Sequence, residues 1–242
     1  MIHLYQFPRL GHFPNLSPFC TKLETWLRIA KLPYENHFIN DPRQAPKKRL
    51  PYITWDDRKL GDSSLVLEEI KAKKGDLLDG HLSKEQKAIA LAFQRLLEDD
   101  LMLTVLYYRW VQADHWPKFR EKLFGSLPFP VSWILPKVLH KKLSDRLKLH
   151  GLMDHTDEEI KAIAERDVQA VANFLGEKPF FFGDQPSTID CVCFGVIGSI
   201  LQDFADIPQL AMAKRHQNLV SFCERMLVSY YPELSQTKVP NA

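Results

Sequence analysis

The sequence has little excess of either charge: 32 lysine and arginine residues stand against 30 aspartate and glutamate residues, a net charge of +2. Nucleic-acid-binding domains usually carry a basic surface, so this balance argues against a nucleic-acid partner. The four cysteines show no framework spacing, and a chain of 242 residues does not need disulfides to fold. We therefore expect reduced thiols, a cytoplasmic location, and a small molecule or a protein as partner.

Long apolar runs are also scarce. The N-terminal sequence MIHLYQFPRLGHFP lacks a basic region followed by an apolar run, so we expect no secretory signal. The stretch from Leu127 to Leu139 contains three prolines and is too short to span a bilayer, which favours a buried linker or a lip over a pocket. The C-terminal residues 235–242 are short and polar. We expect no membrane insertion.

The first eighty residues alternate between strand and helix signals. His3 to Phe7 is a candidate strand, Ser17 to Leu32 has apolar residues at helical spacing, and Tyr34 to Phe38 has strand character again. After a basic loop, two further strands flank a tight turn at Asp56 and Asp57, and a helix follows from Ser63. This βαβ…ββα order predicts a thioredoxin-like α/β domain, a small mixed sheet covered by helices.

Strand signals stop after Ser83, and three helix starts can be recognised. Ser83 with Gln86 forms a capping box that opens a long helix through about Trp110. Similar boxes, Thr156 with Glu159 and Ser187 with Asp190, open two later helices, and a further helix covers Leu219 to Val228. The sequence thus predicts a thioredoxin-like domain at residues 1–74, a linker at 75–82 and an all-helical domain at 83–242.

The segment with the clearest chemical signal is Ser17-Pro18-Phe19-Cys20-Thr21-Lys22, at the junction of the first loop and the first helix. A helix N-terminus favours an anion, so a thiolate placed there would be stabilised. Ser17 has two interpretations, because serine before proline is also a common helix cap. Cys20 has two as well: a thiol with a depressed pKa near the helix start, or a buried packing residue.

This segment resembles the active-site turn of glutathione S-transferases, especially their serine and cysteine classes. The resemblance implies that Ser17 donates a hydrogen bond to the sulfur of glutathione, which acts as co-substrate. It also implies that Leu50 and Pro51 pair with the glutathione backbone through a cis proline, although from the sequence alone an ordinary trans proline is the default. Asp62 and Ser63 would bind the γ-glutamyl end, although a second helix cap is an alternative, and Lys48 would bind the glycyl carboxylate.

The resemblance extends along most of the chain. Gly183 to Asp190 resembles the folding signature of the transferase helical domain, and three further segments are similar to the branch of failed-axon-connections proteins, cadmium-responsive nematode proteins and metaxins. These are 16–27, 180–190 and 218–225 with Tyr231-Pro232. The resemblance implies a homodimer that conjugates glutathione to a small hydrophobic electrophile in detoxification. The alternative is a non-catalytic binding or protein-interaction module of the metaxin type.

Two further expectations concern the helical domain and metals. Tyr107, Tyr108 and Trp110, near the end of its first helix, supply apolar area for a second-substrate pocket, although such a cluster is commonly core. Histidine, cysteine and acidic residues show no spacing typical of a metal centre, so we expect no metal site. A thiol reductase using Cys20 is a weaker alternative, because the first redox position is Ser17.

Overall fold

The computed structural model describes residues 1–9 and 11–235, so residues 236–242 of the polar C-terminal segment 235–242 lie outside the described residues. Four strands form one mixed sheet: β1 (Ile2–Gln6), β2 (Tyr34–Phe38), β3 (Tyr52–Trp55) and β4 (Arg58–Gly61). The strand order is β2-β1-β3-β4. β1 runs parallel to β2, and the other two pairings are antiparallel. This is the predicted thioredoxin-like sheet.

Two helices, α1 (Pro18–Ile29) and α2 (Ser63–Lys74), cover one face of this sheet. Alternate residues of β1 point to opposite faces, so Leu4 packs against Trp26 of α1 and the apolar side of α2, while His3 and Tyr5 face outward. On the outer side, the connection from β2 to β3 contains only a short 3₁₀ turn, Pro42–Gln44. Part of the outer face is therefore open.

The hairpin between β3 and β4 follows the sequence prediction. Asp56 and Asp57 both have positive φ angles, 49° and 59°. Two consecutive residues of this kind form the tight turn whose twist matches a β-hairpin, and aspartate tolerates that backbone conformation.

The rest of the described chain is helical. Its helices are α3 (Lys84–Arg95), α4 (Met102–Trp110), α5 (Trp116–Phe124), α6 (Val131–Leu149), α7 (Asp157–Leu175), α8 (Thr188–Leu201), α9 (Pro208–Lys214), α10 (Gln217–Tyr230) and α11 (Pro232–Ser235). The capping boxes at Ser83 and Thr156 are present. The predicted long helix from Lys84 to Trp110 is interrupted by a π-helical segment, Leu96–Leu101.

The helical domain meets the sheet domain through α8, which packs along α1. A Cβ atom on Gly195 would lie 2.5 Å from the Pro18 carbonyl oxygen, and one on Gly198 would lie 2.4 Å from the Phe13 ring. A side chain at position 195 would push against the backbone of α1, whereas one at position 198 would displace the Phe13 ring. Glycine at position 195 therefore permits the close approach of α1 to α8.

The prediction that the segment from Leu127 to Leu139 is a buried linker is wrong. The segment forms a turn and the start of α6, where Phe129 is 83 % exposed and Trp133 is 60 % exposed. No helix within residues 1–9 and 11–235 combines the length and apolarity that crossing a membrane requires.

Asp190, in the first turn of α8, is fully buried and holds that turn together. Its carboxylate accepts hydrogen bonds from the Ser187 amide at 2.8 Å, the Ser187 hydroxyl at 2.7 Å and the Phe181 amide at 2.8 Å. Burial raises the pKa of Asp190 to about 6, against the opposing effect of these donors. The predicted capping box thus also anchors the loop before the helix.

Asp190→Ala should lower the free energy of unfolding by about 3 kcal/mol or more, because three buried donors lose their acceptor. The matched control is Glu159→Ala, which removes the corresponding residue of an exposed capping box and should cost about 1 kcal/mol. Guanidinium unfolding of both variants measures the difference. Equal losses would show that Asp190 is an ordinary cap.

Candidate functional site

Strand register brings three predicted site segments to the same end of the sheet. Tyr5 lies opposite Tyr52, and Tyr52 lies opposite Gly61. The chain leaving β1, the residues entering β3 and the residues leaving β4 are therefore neighbours. These are the segments that carry Ser17, Leu50-Pro51 and Asp62-Ser63, so the fold places them around one edge beside the N-termini of α1 and α2.

Ser17 stands directly before α1 but does not cap it with its side chain. Its amide donates to Asn15 Oδ1 at 3.0 Å, and its hydroxyl lies within hydrogen-bonding reach of the Cys20 sulfur. The residue is only half-buried. The capping interpretation of the Ser17 side chain therefore does not hold, and the hydroxyl lies at the helix start without capping it. Its role in thiolate binding stays a prediction.

Asn15 is a site residue that the sequence analysis missed. It is buried; its side-chain nitrogen donates to the Phe7 carbonyl at 2.6 Å, and its own carbonyl accepts from the Thr21 hydroxyl at 3.0 Å. These bonds tie the end of β1 to the first turns of α1, and so fix Ser17. An asparagine two residues before a Ser-Pro start is a recognisable turn signal.

Cys20 is a buried packing residue, so its interpretation as a reactive thiol is wrong. It is 0 % exposed. Burial raises the pKa of its thiol to about 12, and the nearby Glu24 carboxylate acts in the same direction. Ser17 and the Phe7 backbone oppose this shift without reversing it. Because the thiolate is the nucleophile, a thiol of this kind is inert near neutral pH.

At the start of α2, Asp62 adopts φ 82° and ψ 115°, a conformation that is strained for a residue with a side chain. Its Oδ1 accepts from the Ser64 amide at 3.1 Å and the Leu65 amide at 3.3 Å. Asp62 is therefore the helix cap that was left open as an alternative. Strained residues of this kind cluster at ligand sites, where surrounding packing maintains them.

The other residues predicted to contact glutathione lie at or near this edge. The Leu50-Pro51 peptide is cis. Ser63 is buried beside Asp62, with its hydroxyl unengaged by any residue in the described part of the chain. Lys48 is exposed in the loop before Pro51. Their roles in binding stay predictions.

A buried polar cluster beneath the start of α2 was also missed. Lys22 Nζ donates to the Ser64 hydroxyl oxygen at 2.8 Å and to Glu98 Oε1 at 2.9 Å. Gln94 donates to the same hydroxyl at 3.0 Å and to Glu98 Oε2 at 2.8 Å. The cluster links α1, α2 and the π-helical segment. No local sequence signal predicts it, because Lys22 and Glu98 are far apart in the chain.

The aromatic residues expected to form a second-substrate pocket pack within the helical domain. Tyr108 is fully buried and its hydroxyl donates to Asp157 Oδ1 at 2.8 Å, so it does not line a pocket. Trp110 stacks on Trp116, with ring centroids 5.5 Å apart. Tyr107 and Trp110 are half-buried, and their part in a pocket stays a prediction.

Comparison with known proteins identifies the family. Residues 18–115 match the Glutathione S-transferase N-terminal domain, and residues 164–226 match the Glutathione S-transferase, C-terminal domain. The chain is 30 % identical over 240 residues to the isoprene-epoxide–glutathione S-transferase of Rhodococcus sp. (strain AD45), covering 95 % of this chain and 99 % of that protein. The chain belongs to the glutathione S-transferase family.

The relatives of this transferase-family chain are diverse. It is 31 % identical to Failed axon connections of Drosophila melanogaster over 245 residues, covering 96 % of this chain but only 59 % of that protein. It is 27 % identical to human metaxin-1 over 220 residues, which covers 86 % of this chain and 46 % of that protein. The predicted branch is therefore confirmed.

Solved structures confirm the fold. A glutathione S-transferase from Methylobacterium radiotolerans, in complex with glutathione sulfonate, has a TM-score of 0.62 at 17 % identity and covers 100 % of this chain and 98 % of that one. A glutathione transferase family member from Pseudomonas fluorescens, with two glutathione molecules bound, has a TM-score of 0.63 at 16 % identity. It covers 97 % of this chain and 92 % of that one.

Glu98→Leu should lower the free energy of unfolding by about 3–5 kcal/mol, because the Lys22 ammonium would be left buried without its counter-charge. The double variant Lys22→Met/Glu98→Leu should recover most of this loss. Arg95→Ala, which removes one partner of the exposed Arg95–Asp99 pair, is the control and should cost less than about 1 kcal/mol. Denaturant unfolding compares them. A double variant no more stable than Glu98→Leu would contradict this account.

Proposed function

We propose that this transferase-family protein binds glutathione at the edge formed by Ser17, Pro51 and Ser63 and conjugates its sulfur to a small hydrophobic electrophile. The observation that carries the proposal is Ser17, half-buried directly before α1, whose side chain does not cap that helix. Support comes from the Rhodococcus relative, whose name describes transfer of glutathione to an epoxide. The glutathione-bound neighbours share this fold.

The mechanism is nucleophilic attack by a bound thiolate. Ser17 donates a hydrogen bond to the glutathione sulfur, and the N-terminus of α1 adds the field of its unpaired amides, so the thiol loses its proton more readily. The thiolate then forms a carbon–sulfur bond with the electrophile. With an aryl halide the carbon–halogen bond breaks and halide leaves as an anion; with an epoxide a carbon–oxygen bond breaks and the ring oxygen takes up a proton from water. The protein supplies orientation and electrostatic stabilisation.

The ends of glutathione are held by other groups in this proposal. The Ser63 hydroxyl and the first amides of α2 bind the γ-glutamyl carboxylate, as helix N-termini bind anions. Asp62 keeps one carboxylate oxygen, Oδ2, outside its capping bonds, and that oxygen accepts from the γ-glutamyl ammonium. Leu50 pairs with the peptide backbone of glutathione. Lys48 binds the glycyl carboxylate from its exposed loop.

The wider proposal is a cytoplasmic homodimer that acts in detoxification, as the family resemblance implies. A second candidate function is a non-catalytic binding module. Two shallow surface depressions in the helical domain, one lined mainly by α7 and α9 and one mainly by α5, include none of the proposed glutathione contacts. The relatives named Failed axon connections and metaxin-1 are consistent with this alternative. Calorimetric titration of the folded protein with glutathione separates the two, since only the transferase proposal requires binding.

Ser17→Ala should lower kcat by about ten- to a thousandfold, because one donor to the developing thiolate is lost. Ser63→Ala should instead weaken glutathione binding by roughly tenfold with kcat nearly retained, because its hydroxyl contacts a group distant from the sulfur. Steady-state kinetics with an epoxide and an aryl halide, together with calorimetric titration, measure both.

The control for both variants is Ser126→Ala, an exposed serine in the turn after α5, which should leave both constants unchanged. Glutathione binding without turnover in the wild-type protein would refute conjugation but retain the binding site. If Ser17→Ala changed neither kcat nor affinity, the thiolate would depend on the α1 amides alone.

A further inference from the structure

Three metal-ligating side chains meet on the outer face of the sheet, away from the edge described above. In the parallel pairing of β1 with β2, His3 lies opposite Glu35 and Tyr5 lies opposite His37. Residues 35 and 37 share a face because strand side chains alternate. The donor atoms of His3, Glu35 and His37 all lie within 4.8 Å of one another.

We propose that His3, Glu35 and His37 form a divalent transition-metal site, with Zn²⁺ as the ion that the ligand spacing fits. The His3 Nδ1 to His37 Nε2 distance is 3.0 Å. Carboxylate oxygens of Glu35 lie 3.4 Å from His3 Nδ1 and 3.7 Å from His37 Nε2. Bonds to zinc of about 2.0–2.2 Å place tetrahedral ligand atoms roughly 3.3–3.6 Å apart. The observed separations bracket that range.

The neighbouring side chains hold the His37 ring in a fixed orientation and leave both histidines open to solvent, and both features favour a metal site over a chance contact between histidines. Tyr5 stacks on the His37 ring with centroids 4.6 Å apart and on Tyr52 at 4.4 Å, so the imidazole has a fixed orientation. The His3 and His37 side chains are 36 % and 33 % exposed, which admits an ion from solvent. Two histidines and one carboxylate leave a fourth zinc position for water or another ligand.

The site would join the edge strand β2 to the central strand β1, so binding should stabilise the sheet. The sequence analysis expected no metal site, because histidine, cysteine and acidic residues show no spacing typical of a metal centre; Glu35 and His37 alone supply only two ligands. His3 becomes the third only through strand register, more than thirty residues away in sequence. A ligand set made this way has no spacing that a sequence pattern can show.

The test is titration of tag-free, chelator-treated full-length protein with Zn²⁺ by calorimetry, and with Co²⁺ by visible absorption. One ion per chain should bind, and Co²⁺ should give the intense bands of tetrahedral coordination. His3→Ala, His37→Ala and Glu35→Gln should each weaken Zn²⁺ affinity by more than about 100-fold, beyond the loss that removal of a supporting residue causes. Zn²⁺ should raise the melting temperature of the wild type but not of these three variants.

The matched control is His155→Gln. His155 and Glu159 form an exposed histidine–carboxylate pair, also 3.7 Å apart, that has no second histidine in its contacts. This variant should bind Zn²⁺ as the wild type does. Circular dichroism checks that every variant is folded. Absence of Zn²⁺ binding, or equal affinity in the wild type and Glu35→Gln, would overturn the site. Neither result bears on glutathione binding.

A second surface carries an independent inference: residues 129–142, which run from the turn before α6 into that helix. These residues contain three lysines and no acidic residue, in a chain that is nearly neutral. Val131, Ile134 and Val138 lie at helical spacing and are all exposed, 44 %, 48 % and 56 %. Lys137 lies over the Trp133 ring, 3.5 Å from its centroid. Exposed apolar area of this kind marks an interaction site.

We infer that this surface binds an anionic lipid bilayer. A symmetric contact with a second copy would place the same basic patch against itself, and the like charges would repel. At a bilayer, by contrast, Phe129 and Trp133 enter the interfacial region while Lys137, Lys141 and Lys142 meet lipid phosphates. An amphipathic helix lying in the membrane plane requires no spanning segment.

The test is sedimentation of the full-length protein with phosphatidylcholine vesicles, with and without phosphatidylserine. Binding should require phosphatidylserine and weaken with salt. Two double variants should each lower the partition coefficient at least about tenfold: Lys141→Glu/Lys142→Glu, because two lysines that attract the anionic surface are reversed in charge, and Phe129→Ser/Trp133→Ser, because two rings that enter the bilayer interface are removed. Leu91→Ser, on the exposed side of α3, is the control. Failure to bind, binding without charge dependence, or loss in Leu91→Ser would overturn the inference.

Discussion

The burial of α1 is the constraint on which the rest of the structure depends. The helix lies between the sheet and α8, and nine of its twelve residues are buried, among them Lys22 and Glu24. Charges in such a position must be paired inside the protein, because their desolvation is costly. Lys22 is paired by Glu98 across the domain boundary, and Glu24 by arginines of its own domain. The position of Ser17, at the start of this helix, is therefore fixed by both domains.

Glu24 shows how far this pairing extends. Burial would raise the pKa of its carboxyl, but Arg9 and Arg28, with the Gln6 amide, hold that pKa below its ordinary value. Arg28 also donates to the Tyr230 carbonyl at 2.7 Å and lies over the Tyr231 ring, 4.1 Å from its centroid. The end of α10 is thereby attached to the thioredoxin-like domain. One buried carboxylate thus couples the first helix of the chain to its last described turns.

The sequence predicted features that depend on neighbours along the chain. The Asp56-Asp57 turn and the capping boxes are local, because each is formed by residues within four positions. The analysis failed where partners are distant. Lys22 contacts Glu98, and His3 contacts Glu35, only in the folded chain. It was also incomplete where burial decides: both interpretations of Cys20 stayed open and the exposed start of α6 was missed, because composition alone does not show which face of a helix is covered.

The alternation of β1 explains why one short strand serves two separate regions. Its even residues point inward, so Leu4 packs in the core and Gln6 donates to Glu24 at 2.8 Å. Its odd residues point outward, where His3 and Tyr5 meet β2. A register shift of one residue would exchange the two sets and place an imidazole in the core. The Leu4 and Gln6 contacts that anchor α1 therefore also fix the outer face, and the spacing of His3, Glu35 and His37 follows from the same packing that positions Ser17.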